Sequence, residues 1–315
     1  MYRIGVDLGG TNIVAGVVDE YYKIVAKAKR KTACPRPAGE ILADIAACVN
    51  EAVKTAGITM DEVKSIGIGT PGSVNKRMGI IEYANNLGFD KVPARDILLK
   101  YFDKPIYIEN DANCAALGEA VAGAGGNVEN FVAITLGTGV GSGIIVNGKI
   151  VNGCNDAAGE MGHSVIVVDG EPCTCGRKGC WEAYSSATAL VRQTKAAMEE
   201  NKASFMWEVV DGDISKVNGR TAFDAMRKGD TAAKQVVDTY IKYLAAGVTN
   251  VINVFQPDVL CIGGGIGCEG EPLLAPLRTY VEKERYSIHC GKQTQICSAV
   301  LGNDAGVIGA ALLDE

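Results

Sequence analysis

Shifted by 128 positions against itself, this 315-residue chain lays Val6-Asp7-Leu8-Gly9 over Ile134-Thr135-Leu136-Gly137 and Val17-Val18 over Ile145-Val146. Each copy reads strand, Gly/Thr turn, strand, turn, strand, which is the trace a duplicated fold with two similar lobes leaves in a sequence. Two unrelated hairpins with glycine turns would look alike too, so the repeat narrows the choice without closing it. In the first copy, strand-like apolar patterns run through residues 2–8, 13–18 and 24–29, with turns at Gly9-Gly10-Thr11 and Asp19-Glu20. Length agrees: single hydrophobic cores stop growing below this size, so two lobes with a cleft between them are expected.

The rest of the pattern is α/β. Ile41, Leu42, Ile45, Cys48, Val49, Ala52 and Val53 recur at helical spacing, with Gly57 where a C-terminal cap belongs. Residues 63–69 and 106–109 read as buried strands. The chain turns helical over 182–255, and a strand at 258–262 leads into Gly263-Gly264-Gly265. Acidic residues outnumber basic ones by 37 to 31, for a net charge of -6, so the field repels phosphate backbones and anionic lipid; neither nucleic acid nor membrane is an expected partner. The most apolar stretch, residues 131–146, is broken by glycines and threonines, and Asp7 interrupts what would be a leader's apolar region. A cytoplasmic protein is expected, and its eleven cysteines then point to thiols or metal ligation instead of a disulfide framework.

Nucleotide phosphates need backbone N–H donors at close range, which glycine permits. Asp7-Leu8-Gly9-Gly10-Thr11-Asn12 and Leu136-Gly137-Thr138-Gly139-Val140-Gly141 supply two such turns at matching points of the repeat. Facing each other they would grip a triphosphate, with Asp7 holding Mg²⁺ through water; taken singly, either is just a hairpin. The chain has no G-x-x-x-x-G-K-[ST] loop. Its one G-x-G-x-x-G match, at Gly67-Ile68-Gly69-Thr70-Pro71-Gly72, puts proline where a helix should open, and reads as chance for a dinucleotide site.

A kinase acting on an alcohol needs a carboxylate within reach of the attacking hydroxyl. Asp111 follows the 106–109 strand at the carboxyl edge where α/β sheets bind ligands; it is equally a candidate N-cap for the helix running through residues 115–120. The spacing Cys173-x-Cys175-x-x-x-x-Cys180, with His163 ten residues upstream, provides three thiolates and an imidazole, a full tetrahedral set for a structural Zn²⁺. A short polar loop carrying Arg177 and Lys178 is no place for core thiols. That metal would fix Glu160, His163 and Glu182 near one another, as recognition of neighbouring sugar hydroxyls requires; as ordinary glutamates, Glu160 and Glu182 would be surface charges. His289 lacks such company and reads as structural.

Together these motifs resemble the ROK family of sugar kinases and sugar-responsive repressors along the whole chain. The resemblance implies a duplicated actin-like ATPase fold, ribonuclease H-like in each half, with an interlobe cleft. Its lobes would be residues 1–112, onto which a C-terminal helix at about 304–315 packs back, and residues 113–303 with the zinc loop. It implies Asp111 as the catalytic base and Gly72, Asn86, Asn110, Asp111, Glu160, His163 and Glu182 as sugar contacts. His163 would bind sugar through one ring nitrogen and zinc through the other. ATP would lie against Asp7, Gly9, Gly10, Thr11, Asn12, Gly137, Thr138 and Gly139, with Gly263, Gly264 and Gly265 beside the adenosine. The implied reaction is phosphorylation of a hexose by MgATP, and the implied assembly a homodimer or homotetramer.

Repressors of the family carry a helix-turn-helix segment before the first strand, and the Asp7 strand here starts at residue 2, so an enzyme is expected. Asn85-Asn86-Leu87-Gly88-Phe89 looks most like the bacterial glucokinases, although Phe89 stands where tryptophan is common. Kinases for N-acetylmannosamine, allose or fructose, and a non-catalytic sugar-binding regulator, are the competing expectations.

Overall fold

The computed structural model describes residues 1–314, an α/β chain with thirteen strands and three sheets among the described residues. In chain order the strands are β1 (Tyr2–Leu8), β2 (Asn12–Val18), β3 (Ile24–Lys31), β4 (Val63–Thr70), β5 (Ser73–Asn75), β6 (Ile80–Ala84) and β7 (Phe89–Val92). There follow β8 (Ile106–Asn110), β9 (Phe131–Leu136), β10 (Val140–Val146), β11 (Lys149–Ile150), β12 (Val259–Gly263) and β13 (Gln295–Ser298).

Two five-stranded sheets share one plan. The first has the order β3-β2-β1-β4-β8 and the second β11-β10-β9-β12-β13. In each, an antiparallel meander is extended by two later strands, and β4–β8 and β12–β13 both pair parallel. The 128-residue shift carries the bounds of Asn12–Val18 onto those of Val140–Val146, so the duplication seen in sequence is a duplication of topology. The third strand breaks the correspondence, with eight residues in β3 and only two in β11. This is the duplicated actin-like ATPase fold.

The chain divides into two compact units. The first comprises residues 1–133, 143–159 and 300–315, and the second residues 134–142 and 160–299. In the first, the helix Ala38–Ala56 buries Ile41, Leu42, Ile45, Val49 and Val53 and ends at Gly57, whose φ of 70° places it in the left-handed region that glycine adopts freely. The helices Asp111–Ala122 and Ala305–Ala311 pack together, and the second also lies against β1 and β4. That packing accounts for the G-x-G match: Gly67 lies inside β4, where a Cβ would come 1.7 Å from the Ala310 carbonyl oxygen. Its glycine therefore serves close helix-to-sheet contact, and no helix follows β4. A small antiparallel sheet, β5-β6-β7, completes the unit; strands of three to five residues were too short to show a period in the sequence.

The second unit is helix-rich between residues 182 and 255, its longest helix, Thr231–Phe255, being capped by the Asp230 carboxylate on the Ala233 N–H. No helix among the described residues is long and apolar enough to cross a membrane.

Candidate functional site

In the first unit the parallel pairing aligns Asp7 with Gly69 and Gly69 with Glu109, so Asp7 and the Asn110-Asp111 pair share the carboxyl edge of β1, β4 and β8. Open α/β sheets bind ligands at this edge. Asp7 has a pKa raised from 3.8 to about 6, first by burial and then by the Asp111 charge. Burial also raises Asp111, against the pull of the Ala112 N–H that its Oδ1 accepts at 2.8 Å. Two partly buried carboxylates, one of them raised further by the other's charge, are well suited to a dication and a proton acceptor.

The helix cap falls to another residue. Helix Asp111–Ala122 is capped by Asn110, whose Oδ1 accepts the Ala112 and Asn113 N–H groups at 2.9 and 3.3 Å, while its Nδ2 donates to the Gly72 carbonyl at 3.1 Å. Asp111 is the first helical residue; one of its carboxylate oxygens shares the Ala112 N–H with Asn110, and the N-cap itself is Asn110. Beside it Glu109, fully buried, accepts from the Asn110 N–H at 2.9 Å and from Asn113 Nδ2 at 3.1 Å, and Lys76 Nζ stands 2.5 Å from its other oxygen. Glu109 was read only as the end of a buried strand, and Lys76 did not stand out in sequence, since lysine defaults to the surface and the two lie far apart along the chain.

Gly9 donates its N–H to the Asn12 carbonyl at 2.9 Å and accepts the Thr32 hydroxyl at 2.6 Å, which tightens the first Gly/Thr turn. Asn86 is exposed and its Cβ lies where a side chain on Gly10 would reach, at 3.5 Å. Phe89 is 2% exposed within the core of the first unit.

In the second unit the turn Gly137–Gly139 joins β9 to β10. Its Gly137 and Thr138 carbonyls accept the Ala187 N–H and the Thr188 hydroxyl, both at 2.8 Å, from the start of helix Ala187–Glu200. Gly263 ends β12, and Gly264 and Gly265 open the short helix Gly264–Gly267.

The metal motif closes as the spacing predicts. One ligand atom from each of His163, Cys173, Cys175 and Cys180 falls within 4.8 Å of the others, with Cys173 Sγ 3.6 Å from His163 Nδ1 and Cys175 Sγ 3.7 Å from Cys180 Sγ. Burial, and then the neighbouring thiols, push Cys180 up to about 12. The Arg177 backbone N–H lowers Cys175. Three thiols and an imidazole at this separation suit a tetrahedral dication, which leaves no coordination position open. Nδ1 faces the thiols, so Nε2 is the ring nitrogen left for another partner.

Both arms of this loop are tied to the start of β10. Met161 donates its N–H to Ser142 Oγ at 3.2 Å, and Glu182 Oε2 accepts the Val140 N–H at 3.0 Å. Glu160, in contrast, is exposed. A cavity of about 350 Å³ opens here, lined by Thr138, Gly139, Thr174, Glu182 and Arg192 among others.

Known proteins match the chain along nearly its full length. The Thermotoga maritima glucokinase is 36% identical over 309 residues, covering 98% of this chain and 95% of that protein. The xylose repressor of Caldicellulosiruptor bescii is 31% identical, covering 90% of this chain and 70% of the repressor. Among solved structures, a ROK glucokinase from Streptomyces griseus in complex with glucose and AMPPNP is 36% identical, with a TM-score of 0.81 and 99% of each chain covered. The ROK family model matches residues 3–315. With the duplicated sheets, the two Gly/Thr turns and the Cys/His loop all in place, the chain belongs to the ROK family.

Proposed function

We propose that the chain is an ATP-dependent hexokinase that transfers the γ-phosphoryl group of ATP to the 6-hydroxyl of a hexose, glucose before others, yielding glucose 6-phosphate and ADP. The observation that carries this reading is Asp111, a partly buried carboxylate that is not the N-cap of its helix and lies on the same sheet edge as Asp7. The glucokinase relatives supply the substrate class.

In this reading Asp111, ionised, accepts the proton as the sugar hydroxyl attacks phosphorus; a positioned base contributes roughly 10²–10⁴-fold. Asp7 holds Mg²⁺ on the nucleotide through water, which suits an ion that gives up hydration reluctantly. Phosphate contacts are assigned to the backbones of Gly9, Gly10, Thr11, Asn12, Gly137, Thr138 and Gly139, and the adenosine contact to Gly263, Gly264 and Gly265. Sugar hydroxyls are assigned to Gly72, Asn86, Asn110 and Asp111, and to Glu160, His163 and Glu182. A Zn²⁺ ion on His163, Cys173, Cys175 and Cys180 would cross-link the loop and supply no chemistry to the transfer itself. His163 would then present Nε2 to the sugar. We place the enzyme in the cytoplasm, where MgATP is made and used, as a homodimer or homotetramer.

A coupled ADP-release assay over glucose, N-acetylmannosamine, allose and fructose tests the reading. Glucose is expected to give the highest kcat/KM. ADP formation with none of the four, alongside measurable sugar binding, would instead make the chain a sugar-responsive regulator.

A further inference from the structure

Glu182 is held at both ends of its carboxylate. Oε2 accepts the Val140 N–H at 3.0 Å, and Oε1 accepts the Thr174 hydroxyl at 3.1 Å. The two donors come from different segments: Val140 follows the Gly137–Gly139 turn, and Thr174 stands between the metal-loop residues Cys173 and Cys175. The approach is possible because residue 139 has no side chain; a Cβ there would lie 2.3 Å from Oε2.

Cys173 Sγ also lies 3.7 Å from Oε1. A cysteine that ligates a metal is a thiolate and has no proton to give. With the loop loaded, the Thr174 hydroxyl is then the remaining donor to Oε1 among the described residues. A carboxylate offers about four lone-pair sites, so one bond on each oxygen leaves an acceptor site on each. One anchor alone lets the group swivel about its terminal torsion, which is broad and roughly two-fold. Two anchors set its plane.

We propose that Thr174 is a positioning residue for sugar recognition: its hydroxyl, working with the Val140 N–H, orients the Glu182 carboxylate so that both remaining acceptor sites meet neighbouring sugar hydroxyls. The proposal rests on the assignment of Glu182 as a sugar contact. It adds a role for a loop residue that ligates nothing, and it joins the metal loop to the phosphate turn through one carboxylate.

The test compares Thr174→Val, which keeps the shape and loses the hydroxyl, with Thr174→Ser, which restores it, and with Glu182→Gln. Glucose affinity is measured by calorimetry without nucleotide, zinc content by atomic absorption, and KM and kcat by the coupled assay. Thr174→Val is expected to weaken glucose binding and raise its KM about tenfold, with kcat and the ATP KM within about twofold and zinc retained. Thr174→Ser should bind glucose within about threefold of the parent, because its hydroxyl can make the same bond. Unchanged glucose affinity in a zinc-loaded Thr174→Val protein overturns the proposal if Glu182→Gln binds weakly. Loss of zinc from Thr174→Val overturns it as well, by making the residue a support of the loop. Normal glucose binding by Glu182→Gln sinks the underlying sugar-contact assignment instead.

Discussion

The Lys76 ammonium stands 2.5 Å from a carboxylate oxygen of Glu109, whose side chain is shut away from solvent. The residue after Glu109 caps the helix that begins at Asp111, and the other Glu109 oxygen accepts that residue's N–H and the Asn113 side chain. This pair thus braces the turn from which Asp111 projects. An ionised carboxylate without water needs a counter-charge, and removing one partner of a buried pair leaves the other stranded. Lys76→Met is expected to lower the unfolding free energy by about 3 kcal/mol, read by urea denaturation at pH 7. Combining it with Glu109→Gln should recover more than half of that loss, because the stranded charge goes too. Simple addition of the two single effects would show that the pair is not the cause.

Asp111 and Asn110 separate by substitution. Asp111→Asn keeps the first helical turn, so stability should hold while kcat falls about 10²-fold or more and glucose affinity stays within a few-fold. Asn110→Ala deletes the cap acceptor and should cost about 1 kcal/mol of stability. Near-parental kcat in Asp111→Asn removes that residue from the role of base.

What the sequence disclosed and what it hid follow a physical division. The duplicated meanders were legible because strand alternation and glycine turns are local, and one shift aligned β2 with β10 to the residue. The metal set was legible because ligand spacing along a short loop is itself the geometry. Whether Asp111 was base or cap was not, because the cap depends on which residue takes the first helical dihedrals, and Asn110 proves to be the cap. The Lys76–Glu109 pair was hidden for a different reason: the supersecondary path through β5, β6 and β7 brings it together, and those strands are too short to carry a pattern. Thr174 carried one unread clue, its place between two ligands.

The metal loop gives its own test. Without a cation, burial and then the adjacent thiols push Cys180 well up from the usual thiol range. A dication reverses that balance, so loading should release protons and weaken as pH falls. About one zinc per chain is expected by atomic absorption, lost on Cys175→Ser together with glucose binding. Full glucose affinity in a zinc-free protein would detach the metal from sugar recognition.

Asp7 sets a pH dependence whose sign can be worked out. Its pKa is raised from 3.8 to about 6 in the folded chain, by burial first and by the Asp111 charge second. A raised acid binds its proton more tightly folded than unfolded. Its favourable contribution is therefore complete below pH 3.8, shrinks as pH rises, and is gone above about 6, where the ionised group burdens the fold. Asp111, raised as well by burial, shifts stability in the same direction. Asp7→Asn should flatten the stability profile between about pH 4 and 6 and make the nucleotide-free protein more stable at pH 7 by about 1–3 kcal/mol, the upper figure following from the full shift. The same change should abolish turnover if Asp7 holds Mg²⁺, the exchange of stability for function expected where a charged group is kept buried for its chemistry. Urea titrations of the parent and Asp7→Asn proteins at a series of pH values measure the effect directly, and parallel profiles would show that Asp7 is as well solvated folded as unfolded.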